Sequence, residues 1–287
     1  MLKSVATMKN AVRIQDLNGA ELDYYVRMSE AQLLHAFEPA PGVFVAETPL
    51  VIKRALDAGY EPISFLTDEE CTNADFLELV NNHGDVPLYV GPNSLVSEMV
   101  GYKLTRGILC AMRRKKLPSP EEVCEGASRI AVLDDVMNPV NVGAIFRSAA
   151  ALGIDALILT EGSSDPLYRR ASRVGMGAAF QVPWTVIKAD RGYIGNIKKA
   201  GFTTVAMALK ENSVSISDKR LTDARKLAIV LGNEGFGLND DTIAECDYTA
   251  MIPMYHGIDS LNVAAAGAVI FWELCKDRGE KYTEVVK

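Results

Sequence analysis

Residues 129–160 read RIAVLDDVMNPVNVGAIFRSAAALGIDALILT, and their rhythm decides the fold. RIAVLDDV reads as a strand. Asn141 to Leu152 has helical spacing and is closed by Gly153, the residue type that most often ends a helix. IDALILT then reads as a second strand. A strand, a helix and a further strand in about thirty residues is the signature of a parallel α/β unit.

The alternation continues toward the carboxyl end. RRASRVGMGAAF is expected to be helical, QVPWTVI a short strand, the region near 190–200 a helix, and FTTVAMALK a strand. KLAIVLG (226–232) is a continuous apolar run, the pattern of a strand buried on both faces. GLNDDTIAECD offers a short helix and YTAMIPM a last strand. Ser260 to Asp277 is expected to form a long closing helix with Ser260 as its N-cap.

Before residue 113 the pattern is shorter and mixed. PGVFVAETPLVIKRALDAGYEPISFLT predicts strand, helix, strand, and the two segments after it repeat the theme with a smaller period. RRKKLPSPEEVCEG (113–126) carries two prolines and a sharp charge reversal, so it marks the boundary. The expected division is 1–120 and 121–287. The chain has 287 residues, 48% hydrophobic and 23% charged, a composition that forms cores. No apolar run reaches bilayer length, and the amino-terminal stretch lacks the apolar core of a signal peptide. The five cysteines are scattered without C-x-x-C spacing, and only three histidines exist. No disulfide framework and no metal site is therefore expected, and a reducing cytoplasm is the expected location.

A net charge of −7 argues against a general polyanion binder, but its distribution is uneven. Met99 to Pro120 holds Lys103, Arg106, Arg113, Arg114, Lys115 and Lys116 and no acid. Pro166 to Ala189 holds Arg169, Arg170, Arg173 and Lys188, again without an acid. Two acid-free basic segments in an acidic chain point to a phosphate-facing surface, against the plainer reading of solvated surface runs.

Arg147 is an unusual residue in the deciding stretch. Its helical neighbours three and four positions away are Gly143, Ala144, Ala150 and Ala151, all reduced to a hydrogen or a methyl group. Either the helix packs tightly on something, or space is cleared for a ligand to reach the guanidinium. Two more glycine-containing segments come after buried strands: LGNEGFGL (231–238) and IPMYHGIDSLNV (252–263). In open α/β sheets ligands gather beyond the carboxyl ends of strands, so the three loops could build one site. Gly232, Gly235 and Gly237 have the order G-x-x-G-x-G, which is wrong for a dinucleotide fingerprint and falls too late in the domain. Glu234, flanked by glycines directly after a buried strand, needs a partner if ionised. Ser260 is explained more cheaply as a cap than as a nucleophile, because no histidine sits at an activating spacing. Asn262 must find hydrogen-bond partners if its helix is buried.

In order and spacing, the three segments resemble the signature motifs of the SpoU, or TrmH-type, RNA 2′-O-ribose methyltransferases of the SPOUT superfamily. More loosely, FVAETPLVIKRALDAG resembles the ribosomal-protein-like RNA-binding domain often fused in front of that unit. The resemblance implies an α/β chain: a C-terminal trefoil-knot (SPOUT) methyltransferase domain preceded by a small α/β ribosomal-protein-like RNA-binding domain. It implies S-adenosyl-L-methionine as methyl donor, rRNA or tRNA as substrate, and a homodimer. By motif position, Gly232, Ile252 and Leu261, with Asn233 beside them, would hold the cofactor. Arg147 would be the principal catalytic residue, and Asn141, Glu234, Ser260 and Asn262 would shape the site. Lys103, Arg106, Arg113, Arg114, Arg169, Arg170 and Arg173 would contact RNA. A guanidinium is effectively never neutral, so Arg147 is read as clamping a phosphate and stabilising the ribose oxygen rather than as a base. The competing reading is a non-catalytic RNA-binding or ribosome-assembly protein that keeps the methyltransferase fold.

Overall fold

The computed structural model describes residues 5–100, 108–188 and 192–276. It divides into two compact units, Met1–Lys116 with Leu167–Gln181, and Leu117–Pro166 with Val182–Lys287. Lys103 and Arg106 lie outside the described residues.

The first unit is built on a mixed five-stranded sheet. Its strands are β1 (Ala11–Arg13), β2 (Val43–Glu47), β3 (Pro62–Asp68), β4 (Leu88–Gly91) and β5 (Ile108–Arg113), in the spatial order β1-β4-β3-β5-β2. β1, β4 and β3 run parallel, whereas β5 is antiparallel to both β3 and β2. The helix Pro49–Asp57 begins as its sequence requires: Thr48 accepts from the Val51 N–H, and Pro49 occupies the first turn, where its missing donor is harmless. Val51, Ile52 and Ala55 form its buried face.

Leu167–Gln181, which the sequence division assigns to the second unit, packs instead with the first. The Phe180 ring meets Phe44 and Tyr60 at centroid distances of 5.7 and 5.2 Å. Arg173 pairs with the carboxylate of Glu47 at 2.9 Å, and Glu47 is only 7% exposed. A buried carboxylate needs a cation, and Arg173 of this segment supplies it alongside the aromatic contacts of Phe180.

The second unit is a seven-stranded sheet in which every pairing is parallel. Its strands are β6 (Arg129–Leu133), β7 (Ala156–Thr160), β8 (Trp184–Ile187), β9 (Thr203–Met207), β10 (Val214–Ser215), β11 (Leu227–Leu231) and β12 (Tyr248–Met251). The order is β10-β12-β9-β11-β6-β7-β8, so the chain moves outward from β6 and then returns to place β11 between β6 and β9. β6, β7 and β11 are fully buried, matching their unbroken apolar sequences. The helix Pro139–Leu152 ends at Gly153 in the left-handed conformation (φ 82°). It packs against the closing helix, Val263–Cys275. Among the described residues no helix is long and apolar enough to cross a membrane.

The closing helix corrects one expectation. It starts at Val263 rather than near Ser260, and its N-cap is Asn262, whose Oδ1 accepts from the N–H groups of Ala264 and Ala265. An asparagine side chain caps at least as well as serine, and it lies closer to the first buried residue, Ala264. The short strand β10 gives no recognisable period in the sequence.

Candidate active site

The carboxyl ends of β9, β11 and β12 open into a cavity of about 620 Å³. Gly232, Asn233 and Glu234 line it from the loop after β11, Ile252 from the loop after β12, and Ser260, Leu261 and Asn262 from the approach to the closing helix. Met207 and Leu209 contribute a wall from the end of β9. The second and third sequence motifs therefore share one cavity. Ser260 is exposed at its edge, with no capping role.

The loop after β11 is a tight, braced turn. Asn233 and Gly237 exchange backbone hydrogen bonds at 3.1 and 3.0 Å. The Asn233 side chain accepts from the N–H groups of Gly235 and Phe236 and donates to the Asp135 carbonyl. Gly232 is required by close approach: a Cβ there would stand 2.6 Å from the backbone of Gly237 and Leu238.

Glu234 finds the partners its sequence context demanded. Its Oε1 accepts from the Asn138 N–H at 3.1 Å and from Asn141 Nδ2 at 2.9 Å, and its Oε2 accepts from the Met137 N–H at 3.3 Å. These donors sit at the start of the helix Pro139–Leu152, where the orphan N–H groups and the helix dipole favour an anion. Partial burial raises the Glu234 pKa, but the bonds from Asn141, its own backbone, Asn138 and Met137 outweigh burial and hold it below the usual value. Asn141 in turn accepts from Asn262 Nδ2 at 3.1 Å. One hydrogen-bonded chain thus joins Glu234, Asn141 and Asn262, each from a different motif.

Arg147 stands apart from that chain. It does not line the cavity, and among the described residues its side chain makes no hydrogen bond or ion pair. It lies on the exposed side of its helix together with Ala150 and Ala151. The packed partner of that helix shows an outward apolar stripe at helical spacing, with Val269 42% and Trp272 50% exposed.

The basic residues of the first unit are placed unevenly. Arg113 is exposed, with its guanidinium 5.3 Å from the Phe37 ring, and Arg114 donates to the Val43 carbonyl. Arg170 is exposed. Arg169 and Arg173 both pair with Glu47, a commitment invisible in a count of acids along the local sequence. Phe236, 95% exposed at the tip of the braced turn, escaped sequence reasoning altogether.

A parallel sheet with a loop-built cavity at its carboxyl edge is the ligand-binding arrangement of open α/β proteins, and comparison identifies the family. Residues 128–272 match the SpoU rRNA Methylase family, and the chain belongs to that family. An uncharacterized tRNA/rRNA methyltransferase of Mycobacterium bovis is 35% identical over 232 residues, covering 80% of this chain and 79% of that protein. The 23S rRNA (guanosine(2553)-2′-O)-methyltransferase RlmP of Bacillus subtilis is 27% identical over 64% of this chain and 75% of its own length. In fold, the chain is similar to the SpoU methyltransferase AviRb of Streptomyces viridochromogenes, solved in complex with AdoMet. The TM-score is 0.73 at 21% identity, covering 90% of this chain and 97% of that one.

Proposed function

We propose that the protein transfers the methyl group of S-adenosyl-L-methionine to a ribose 2′-hydroxyl of structured rRNA or tRNA. The observation that carries this reading is the Glu234–Asn141–Asn262 chain, which ties all three motif segments together beside one cavity. The family's RNA methyltransferases and the named 2′-O activity of RlmP support the same chemistry.

The cavity fits the cofactor. Its volume is that of a small-molecule site. Leu209, Ile252 and Leu261 offer apolar surface for a purine, and the Asp259 carboxylate at the rim suits a cationic group. Gly232, Ile252 and Leu261 would hold it, with Asn233 fixing the turn that carries Gly232. When bound, the cofactor supplies an electrophilic methyl on a sulfonium. Everything else falls to the chain. Glu234 and Asn141 fix the start of the Arg147 helix against the cofactor turn, and Asn262 fixes the closing helix to both. Arg147 carries a permanent charge and a fork of donors, suited to holding the target phosphate and stabilising charge on the ribose oxygen. Ser260 and Leu261 edge the space in which the sugar is held.

Arg147 faces outward beside the small residues of its helix, and Val269 and Trp272 leave an apolar stripe uncovered on the neighbouring helix. This supports a homodimer across the two helices, with Arg147 serving at the interface. The placement of β11 between β6 and β9 supports a trefoil knot in the C-terminal region. Arg113, Arg114 and Arg170, with Lys103 and Arg106, would supply RNA contacts on the first unit, and binding should weaken as salt rises.

The test is transfer of labelled methyl to RNA from cells lacking the protein, with the product mapped for ribose methylation. Arg147→Lys should lose at least about a hundredfold in turnover, because an ammonium cannot reproduce a bidentate fork. Its cofactor affinity should stay within about threefold, since Arg147 lies outside the cavity. Full activity in the Lys variant, or methyl found on a base, would overturn the assignment.

A further inference from the structure

The braced turn 233–237 separates the cofactor cavity from a second one. That second cavity, about 670 Å³, lies between the carboxyl end of β6, the turn itself and the helix Asp240–Glu245. Asn233, Phe236, Gly237 and Leu238 line both. Three features of it are unexplained by the proposed reaction.

The first is Phe236. Its ring is 95% exposed, yet its backbone is pinned: the N–H donates to Asn233 Oδ1, and the flanking residues close a two-way hydrogen-bonded turn. A fully hydrated aromatic on a rigid mount loses the usual benefit of burial, and large apolar side chains presented in this way mark binding surfaces. The second is Met137, 64% exposed on the same cavity wall, where its N–H is fixed by Glu234. The third is Tyr193. It is 7% exposed and lines the cavity, with its hydroxyl enclosed beside the Asp134 carboxylate and the Thr242 hydroxyl.

The exposed Phe236 and Met137 side chains share the lining with Asn239 and the carboxylates of Asp134, Asp135, Asp241 and Glu245, a combination that matches a planar heterocycle with donors on its edge. We propose that this second cavity receives an unstacked nucleobase of the RNA substrate, its face on the Phe236 ring and its donor-bearing edge toward Asp135 and Asn239. The inference rests on the RNA-methylating reading. It adds that the turn carrying Gly232 on one side carries a base platform on the other, so one rigid element positions cofactor and substrate together. Carboxylates such as Asp135 repel phosphate, which favours a base reaching in while its backbone stays outside.

The experiment measures binding and turnover separately. RNA from cells lacking the protein is the probe, with direct Kd values for that RNA and for S-adenosylmethionine beside kcat and KM. Base–aromatic stacking predicts that Phe236→Ala raises the RNA Kd and KM between about fivefold and a hundredfold. Phe236 also lines the cofactor cavity, so the RNA Kd is measured without cofactor and should change more than the cofactor Kd; Phe236→Trp should restore RNA binding and Phe236→Leu should not. The proposal is overturned if Phe236→Ala leaves cofactor-free RNA binding unchanged, if Leu restores as well as Trp, or if the loss appears in cofactor affinity alone. It is equally overturned if Phe236→Ala dissociates a dimer, since a second copy would then cover the ring. Wild-type RNA binding without methyl transfer, with the Phe236 series still shifting Kd, would reject the methylation reading and retain the platform.

Discussion

Replacing Glu234 by alanine tests the architecture of the site more sharply than replacing any group at its surface. The substitution removes an acceptor for three donors, the N–H groups of Met137 and Asn138 and the amide of Asn141, at 3.3, 3.1 and 2.9 Å. Hydrogen bonds to a charged group can each be worth about 1.5–3 kcal/mol when shielded. Here the carboxylate is exposed and water can reach the freed N–H groups, so the sum is discounted to about 1–2 kcal/mol. For a chain of this size that lowers the melting temperature by roughly 2–8 °C. Combining Glu234→Ala with Asn141→Ala in a double-mutant cycle should yield a coupling of about 0.5–1.5 kcal/mol, because the two share one bond. Methyl transfer should fall further, by about a hundredfold, since the helix start and the cofactor turn lose their register. The pH dependence carries the sign. The folded pKa of Glu234 lies below its ordinary 4.5, so its contribution is fully present above that value. It is lost as pH falls through the folded pKa, because the unfolded state then binds the proton more readily. Thermal melts of wild type and variant should therefore differ by a constant gap near neutrality and converge in acid. Identical melting temperatures near neutral pH, a gap that widens on acidification, or a cycle with no coupling would each refute this account of Glu234.

Two further substitutions bear on the same turn and cap. Gly232→Ala forces a methyl to within 2.6 Å of the backbone of Gly237 and Leu238, so the turn must open. The expected cost is about 1–3 kcal/mol in stability with a larger loss of cofactor affinity, read by thermal melts and calorimetric titration. Asn262→Asp keeps the acceptor that caps the closing helix but cannot donate to Asn141, so the melting temperature should stay within about 3 °C while turnover drops at least about tenfold. Unchanged turnover in that variant would reduce Asn262 to a cap.

Much of this site is legible in the sequence because it is built from strand ends. KLAIVLG can only be a doubly buried strand, and the loop that leaves such a strand lands at the sheet's carboxyl edge whatever its side chains do. Glu234, an acid between glycines at that edge, announces a need for donors, but not that they are backbone N–H groups about a hundred residues earlier. The limits are set by long-range pairing. Arg169 and Arg173 stand in a stretch with no acid, and their partner, Glu47, is more than a hundred residues away on a buried strand. No local charge count could reveal that. Ser260 is a cap-forming residue shortly before an apolar run, which makes it an economical choice from sequence. Asn262 has the same chemistry two residues later, and only the helix register separates them. Phe236 gives no signal, since a single phenylalanine in a glycine-rich loop reads as core until its exposure is known.

The hydrogen-bonded chain also explains why amides, rather than acids or hydroxyls, occupy its two inner positions. At one end stands a carboxylate, which when ionised can only accept; at the other stand the N–H groups of Ala264 and Ala265, which can only donate. Every link between them must accept on one side and donate on the other, in a single direction. Asn262 accepts the helix N–H groups with Oδ1 and donates with Nδ2; Asn141 accepts with Oδ1 and donates to Glu234. Flipping either amide would place two acceptors or two donors face to face, so both ends fix both orientations. A serine could relay the proton direction but is too short to bridge two helices, and an aspartate would halt it. Two asparagines therefore carry the position of the closing helix through to the turn that holds Gly232. The geometry of the cavity around Gly232 is set by the same bonds that hold the helix carrying Arg147, so a substitution at either asparagine should disturb the proposed cofactor and substrate sites together.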